Sequence, residues 1–409
     1  MFGRMAQPNT MAAAGSRVRR PDLATALTIL AGVMMTTGLP PFPWTAPVVV
    51  AALTLLFALL LAAEHPARRG WYFGLAHQAT LLYWLFWLDP AKSIPTRLLV
   101  PVQAIAAILY VSLFYLLFGW TLGRVRRWLG RPGALALAPV LWVAMEALRG
   151  WGELGFPWCL SGSAWLGTPV RVLAAASGEI GLSAGTALLA AALVWSLHLR
   201  HAVRDGGGPA RALPLLALLA WVLLAAVTAV WGGPDGPERP ARPAAGEPDP
   251  AAAAALRVAA VQADVALADK WDPARLDSTR IPYAKLTAAA AAAGAELVVW
   301  AETAIPAYVR LDPNLMGWLR EQARVNSVWI YTGFPDAERS VPDGEILRYN
   351  SSGLVSPEGQ LVARYAKHHL LPIGERMPFS DALPFLGRID VGQAEWRSGD
   401  PSQPLPLVA

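Results

Sequence analysis

Seven apolar stretches follow one another through the first half of the chain, at residues 23–40, 44–63, 71–88, 98–122, 133–149, 178–198 and 212–231. Each approaches the roughly 20 residues that a helix needs to cross a hydrocarbon layer about 30 Å thick. Buried helices of a large soluble protein do not account for seven in succession. The pattern therefore predicts an α-helical membrane bundle over residues 23–232, preceded by a basic segment at 1–22. The composition of the 409-residue chain, 55% hydrophobic and 15% charged, averages two unlike halves. Residues 256–409 read as water-soluble protein.

Basic residues set the orientation. With the N-terminus inside, the inner segments hold Arg4, Arg17, Arg19 and Arg20, then Arg68 and Arg69, then Arg124, Arg126, Arg127 and Arg131, then Arg200, Arg204 and Arg211. The opposite loops hold Lys92 and Arg97, with Arg149 and Arg171 at helix margins. That asymmetry is the positive-inside pattern, and seven spans then put everything after Trp231 outside. The net charge of +5 is thus a topology signal and implies no nucleic-acid partner. The basic start leads into a full-length span, which reads as an uncleaved first helix. The single cysteine, Cys159, excludes an intrachain disulfide and reads as a small apolar side chain at the membrane edge. Glu146 and Arg149, one helical turn apart, read as a structural pair.

The second half opens with a linker rich in Pro, Gly and Ala at residues 233–255. Short β-branched runs at 256–265, 295–300 and 327–334 are strand candidates. Asp272 and Pro273 offer a cap and first-turn proline for a helix to about Ala293, and Pro313 opens another to about Asn326. Residues 349–370 read as two strands around a Pro-Glu-Gly turn. Strand, helix, strand, helix, strand and hairpin predict an α/β domain over 256–409.

Two residues in that domain carry chemistry. Glu302, in VVWAETAIPAY, stands where an apolar strand emerges, the end of an α/β sheet at which ligands commonly bind. Partial burial there would raise its pKa and suit it to general-base work. Lys367 follows a hairpin strand in RYAKHHLLPIGERMPF. A fixed ammonium can stabilise an oxyanion, and one such donor typically lowers a barrier by about 2.7–4 kcal/mol. Alone, each also fits an ordinary surface position. No metal cluster, phosphate loop or cofactor motif is present, so no cofactor and no metal are expected.

The segments WAETAIP, RYAKHHLLPIGERMPF and ADKWDP resemble the nitrilase-like domain of the bacterial apolipoprotein N-acyltransferase family. The stretch LWVAMEALRGWGELGFPW (141–158) is similar to that family's loop between two spans. The resemblance implies a membrane bundle followed by a nitrilase-like α-β-β-α sandwich domain on the periplasmic side of the bacterial inner membrane. It implies that Glu302 is the general base for a cysteine thiol and that Lys367 steadies the tetrahedral intermediate. Glu375 would be a second functional glutamate beside the site, and Trp271 a tryptophan of that domain linked to activity. His368 and His369 would be structural. The implied reaction moves an acyl chain from a phospholipid, through a cysteine thioester, to the N-terminal amine of a diacylglyceryl-cysteine lipoprotein.

One part of the family's pattern is missing from residues 1–409. The nucleophilic cysteine belongs on a strand just beyond WRSGDPSQPLPLVA (396–409), and Cys159 does not match it by motif. The domain is therefore expected to be partial, truncated at its C-terminus, and inactive in acyl transfer as it stands. Two other readings follow from the same residues: a membrane-tethered carbon–nitrogen hydrolase that delivers the acyl group to water, and an inactive relic that only binds lipid or lipoprotein.

Overall fold

The computed structural model describes residues 22–42, 45–87, 99–202, 256–340, 344–388 and 394–400. The seventh apolar stretch and the linker lie outside the described residues, as does the basic N-terminal segment up to its last residue, Asp22. Contacts divide the chain into two compact units. One is drawn from Met1–Leu81, Ile108–Glu146 and Cys159–Ala229, the other from Leu82–Ala107, Ala147–Trp158 and Val230–Ala409.

Helices occupy all six apolar stretches within the described region. They are α1 (Leu23–Thr37), α2 (Thr45–Ala62), α3 (Pro66–Leu81), α4 (Leu99–Arg149) and α5 (Ala174–Ala202). Asp22 caps α1 by accepting from the Thr25 amide at 2.7 Å. The 51-residue α4 holds two of the stretches, because Gly130 leaves helical geometry at φ +71° just before Pro132. Among the described residues, three helical segments are long and apolar enough to cross a membrane: Thr45–Ala62, Leu99–Arg149 and Pro169–Leu197. At 15 residues, α1 is shorter than that. The third stretch shifts from its expected bounds. Its helix begins at Pro66, takes in Arg68 and Arg69, and yields at Leu81 to a 3₁₀ turn over Tyr83–Trp87.

Burial in this region combines an enclosed apolar core, in which Leu53, Phe57, Phe73 and Trp142 are fully buried, with an exposed apolar stripe. Along α4, Val102, Ile105, Leu109, Leu113, Leu117 and Trp120 are exposed at helical spacing, while Ser112 is fully buried. Thr36, on α1, hydrogen-bonds His77 Nδ1 and Thr80 Oγ1 of α3, each at 2.8 Å. Glu146 accepts from the Ser161 amide at 2.8 Å, and Arg149 donates to the Trp158 carbonyl at 3.0 Å. Both therefore tie a following loop back to α4, in keeping with a structural role.

The second half forms a five-stranded mixed sheet in the order β1-β2-β3-β4-β5. The strands are β1 (Val258–Val261), β2 (Leu297–Trp300), β3 (Trp329–Arg339), β4 (Ile346–Val355) and β5 (Leu361–Ala366). The first three are parallel, and β3-β4-β5 form an antiparallel meander. Helix α6 (Leu276–Ala292) follows a 3₁₀ turn whose cap is Asp272, and α7 (Pro313–Asn326) is capped by Asp312 at the Asn314 and Leu315 amides. Val298, Leu319, Ile330 and Phe334 are fully buried in the core that these helices share with the sheet.

The expected strand at 327–334 is longer than its sequence suggests. It runs on through Pro335-Asp336-Ala337-Glu338-Arg339 and pairs with β4 as far as Arg339–Ile346. The buried Asp336 is held there by Arg310 at 2.9 Å and Arg364 at 2.6 Å. Two charge-assisted partners offset the cost of burying a carboxylate in a strand.

Candidate active site

Glu302 follows the carboxyl end of β2 by two residues, and Thr303 after it takes a left-handed conformation at φ +48°. Gly333 of β3 permits the close turn. A Cβ there would lie 2.6 Å from the Thr303 amide nitrogen and 3.2 Å from the Glu302 Cα. The β4–β5 register brings Lys367, just beyond β5, opposite Asn350, whose carbonyl accepts from the Lys367 amide at 2.8 Å.

These positions converge. Lys367 Nζ lies 3.3 Å from Glu302 Oε1 and 3.0 Å from Glu375 Oε2. Asn350 Nδ2 donates to both carboxylates, at 2.8 Å to each. Glu375 also accepts from the Leu371 amide at 2.7 Å, which fixes the turn that carries it. Exposure separates the two acids: 66% of the Glu302 side chain is open to solvent against 14% for Glu375. Glu302 is thus the carboxylate an incoming reactant can meet, and Glu375 holds the lysine from behind.

The electrostatics correct one expectation. Burial does push the Glu302 carboxyl upward, but the Asn350 amide and the Lys367 charge outweigh it, and the net pKa lies below the usual value. Burial alone would lower Lys367, but the hydrogen bond and charge of Glu375, with Glu302 behind them, carry it above its ordinary value. The resting pair is an ionised carboxylate against a firmly charged ammonium. Burial also lowers Lys270, against the opposing pull of Glu302.

Glu302, Lys367 and Glu375 are therefore brought together, and Trp271 is not placed with them. It is 47% exposed at the end of a helical turn, Leu267–Lys270. What reaches Glu302 from that turn is Lys270, whose Nζ donates to the Glu302 carbonyl at 3.1 Å. His368 Nδ1 meets the Gly399 carbonyl at 2.8 Å, and its ring packs edge-on against His369. Cys159 belongs to the other compact unit. Sequence reading missed Asn350 and Lys270. The hairpin register around the Pro-Glu-Gly turn would have pointed to Asn350, and Lys270 stands beside the tryptophan that drew attention.

This arrangement can take a proton on Glu302 and stabilise developing negative charge with Lys367, the two demands of acyl transfer through a covalent intermediate. Comparison with known proteins bears on the family. Residues 31–193 match the family described as the apolipoprotein N-acyltransferase N-terminal domain, and residues 257–392 match carbon-nitrogen hydrolase. The apolipoprotein N-acyltransferase of Azotobacter vinelandii is 32% identical over 93% of this chain and 69% of its own length. Those of Geobacter metallireducens and Pseudomonas syringae pv. tomato are 30% and 29% identical, over 94% and 93% of this chain and 71% and 70% of their own lengths. Among solved structures, an amidase from Nesterenkonia sp. aligns at 18% identity over 38% of this chain and 51% of that one, with a TM-score of 0.26.

Proposed function

Because the chain belongs to the apolipoprotein N-acyltransferase family, we propose that its site serves the N-acylation of lipoproteins, with a membrane phospholipid as donor. The observation that carries this reading is the cluster of Glu302, Lys367, Glu375 and Asn350 at the end of β2.

In the proposed reaction Glu302 takes the proton of a cysteine thiol, and the thiolate attacks the acyl ester of the phospholipid. The ester C–O bond breaks, the proton passes to the departing alcohol, and a lysophospholipid leaves behind a thioester. The free α-amine of a diacylglyceryl-cysteine lipoprotein then attacks the thioester, forming an amide and restoring the thiol. Lys367 faces the oxyanion in both steps. Glu375 and Asn350 keep the lysine and Glu302 in register, so little reorganisation is needed during the reaction. The thiol of this scheme is that of the cysteine strand which the family resemblance implies, a motif that Cys159 does not match.

Both substrates are membrane lipids, which favours a multi-pass anchor in the bacterial inner membrane, with the site on its periplasmic side. The three apolar helical segments and the exposed apolar stripe of α4 support the anchor. The positive-inside pattern supports the side. We retain residues 23–232 as the membrane bundle and 256–409 as the catalytic domain.

The test is an acylation assay with residues 1–409 extended by the C-terminal segment of the Azotobacter relative, supplied with phospholipid and a diacylglyceryl lipopeptide. Gain of one acyl chain by the peptide amine, read by mass spectrometry, is expected. Release of free fatty acid with an unmodified peptide would instead reveal a hydrolase and overturn the transferase reading.

A further inference from the structure

Next to the catalytic cluster, the second unit holds a cleft of about 320 Å³ lined by four arginines. Arg348 comes from β4, Arg376 directly follows Glu375, Arg388 ends a 3₁₀ turn, and Arg397 comes from the tail beyond it. Two of these are already engaged. Arg376 pairs with Asp381, and Arg397 lies 3.0 Å from Glu345 and 3.8 Å from Asp381. Arg348 and Arg388 line the cleft without an ion pair among the described residues. Glu395 is the third carboxylate on its wall, so four guanidinium groups face three acids.

A purely structural cluster would balance its charges; here four guanidinium groups outnumber three carboxylates on one concave surface, and Arg348 and Arg388 form no ion pair among the described residues. Guanidinium presents forked N–H donors that match the oxygens of a phosphate. The position adds meaning to the charge. Side chains alternate along a strand, so Arg348 and Asn350 share one side of β4, about 7 Å apart along it. Asn350 itself holds Glu302 and Glu375. The cleft thus borders the catalytic cluster along two elements at once.

We infer that this cleft binds a phosphate group, that of the glycerophospholipid donor, with Arg348 and Arg388 as its main ligands. This deepens the acyl-transfer reading and rests on it: a lipid whose phosphate is held here has its ester linkages beside Glu302 and Lys367. Free phosphate shares the same chemistry. The diester is favoured because the cleft adjoins the groups at which a lipid ester must react.

The experiment is a calorimetric titration of residues 1–409, in a phosphate-free maltoside detergent, with glycerophosphoethanolamine and separately with inorganic phosphate. The diester is expected to bind more tightly than inorganic phosphate. An Arg348→Gln/Arg388→Gln double variant should weaken it by at least about tenfold, since two charge-assisted contacts are lost. Glu395→Gln should tighten it, because it removes an opposing charge without touching either arginine. Unchanged binding in the double variant, or no binding by either probe, would overturn the site. Inorganic phosphate binding as tightly as the diester would overturn its assignment to the donor lipid. Neither readout depends on acyl transfer. Failed acylation with intact diester binding would therefore count against the proposed reaction alone.

Discussion

Along α4 the residues turned outward are Val102, Ile105, Leu109, Leu113 and Leu117, while Thr28, His77, Gln78 and Ser112 of the same helical region are fully buried. The sheet region differs: Val298, Leu319, Ile330 and Phe334 are enclosed, and the buried Asp336 is held by Arg310 and Arg364. The outward apolar stripe of α4 suits a surface that meets lipid, and the closed apolar core of the sheet region suits water. In lipid, apolar side chains gain nothing by hiding, and helices are joined through small and polar residues. In water, apolar burial drives folding at roughly 25 cal/mol per Å². The candidate catalytic cluster belongs to the sheet region, with its charges part-buried and mutually paired.

The largest expected effect separates site from scaffold. In the extended chain, Glu302→Gln should lower acylation by about 10²–10⁴-fold, the usual contribution of a general base. Its melting behaviour should stay near that of the parent, because the side chain is two-thirds exposed. A parallel loss of fold, seen by circular dichroism, would mean that Glu302 is structural.

The next two predictions set the regions against each other. Leu319→Ala should destabilise the sheet region by about 2–5 kcal/mol, the cost of a cavity in a closed core. Leu109→Ala should change little, because its side chain already faces outward. Leu109→Arg should be opposed by about 2.5–3.5 kcal/mol in an insertion assay if that face meets lipid. Full tolerance of arginine at 109 would show that the stripe meets water or protein instead.

The smallest effect concerns pH. The folded pKa of Glu302 lies below its ordinary value of 4.5, so its stabilisation is present above pH 4.5 and fades as pH falls through the lower folded value. Lys367 is raised above 10.5, so its share is complete below pH 10.5 and is lost as pH rises through its folded value. Thermal melts should therefore show wild type ahead of Glu302→Gln by at most about 1 kcal/mol near neutral pH, given the exposure of the pair. That margin should vanish in acid. An equal margin from neutral pH into acid would contradict the ion pair.

Glu302, Lys367 and Glu375 were legible because each stands in a short, distinctive segment. So was the break in α4, since Gly130 and Pro132 interrupt an apolar run. What escaped depended on register or on summed electrostatics. Asn350 joins the site through pairing across the hairpin, which no local motif announces. The reach of β3 past Pro335 and Asp336 was hidden because those residues suggest a turn until Arg310 and Arg364 are seen to hold Asp336. The direction of the Glu302 shift was missed because burial was weighed without the Asn350 amide and the Lys367 charge beside it.

The most direct measurement is acylation of a diacylglyceryl lipopeptide by the extended chain, with parent, Glu302→Gln and Lys367→Met assayed side by side under single-turnover conditions. The parent should add one acyl chain to the peptide amine, and both variants should fail to form the thioester at a comparable rate. Transfer at parental rate by either variant would contradict the assignment of Glu302 and Lys367 as the acyl-transfer pair.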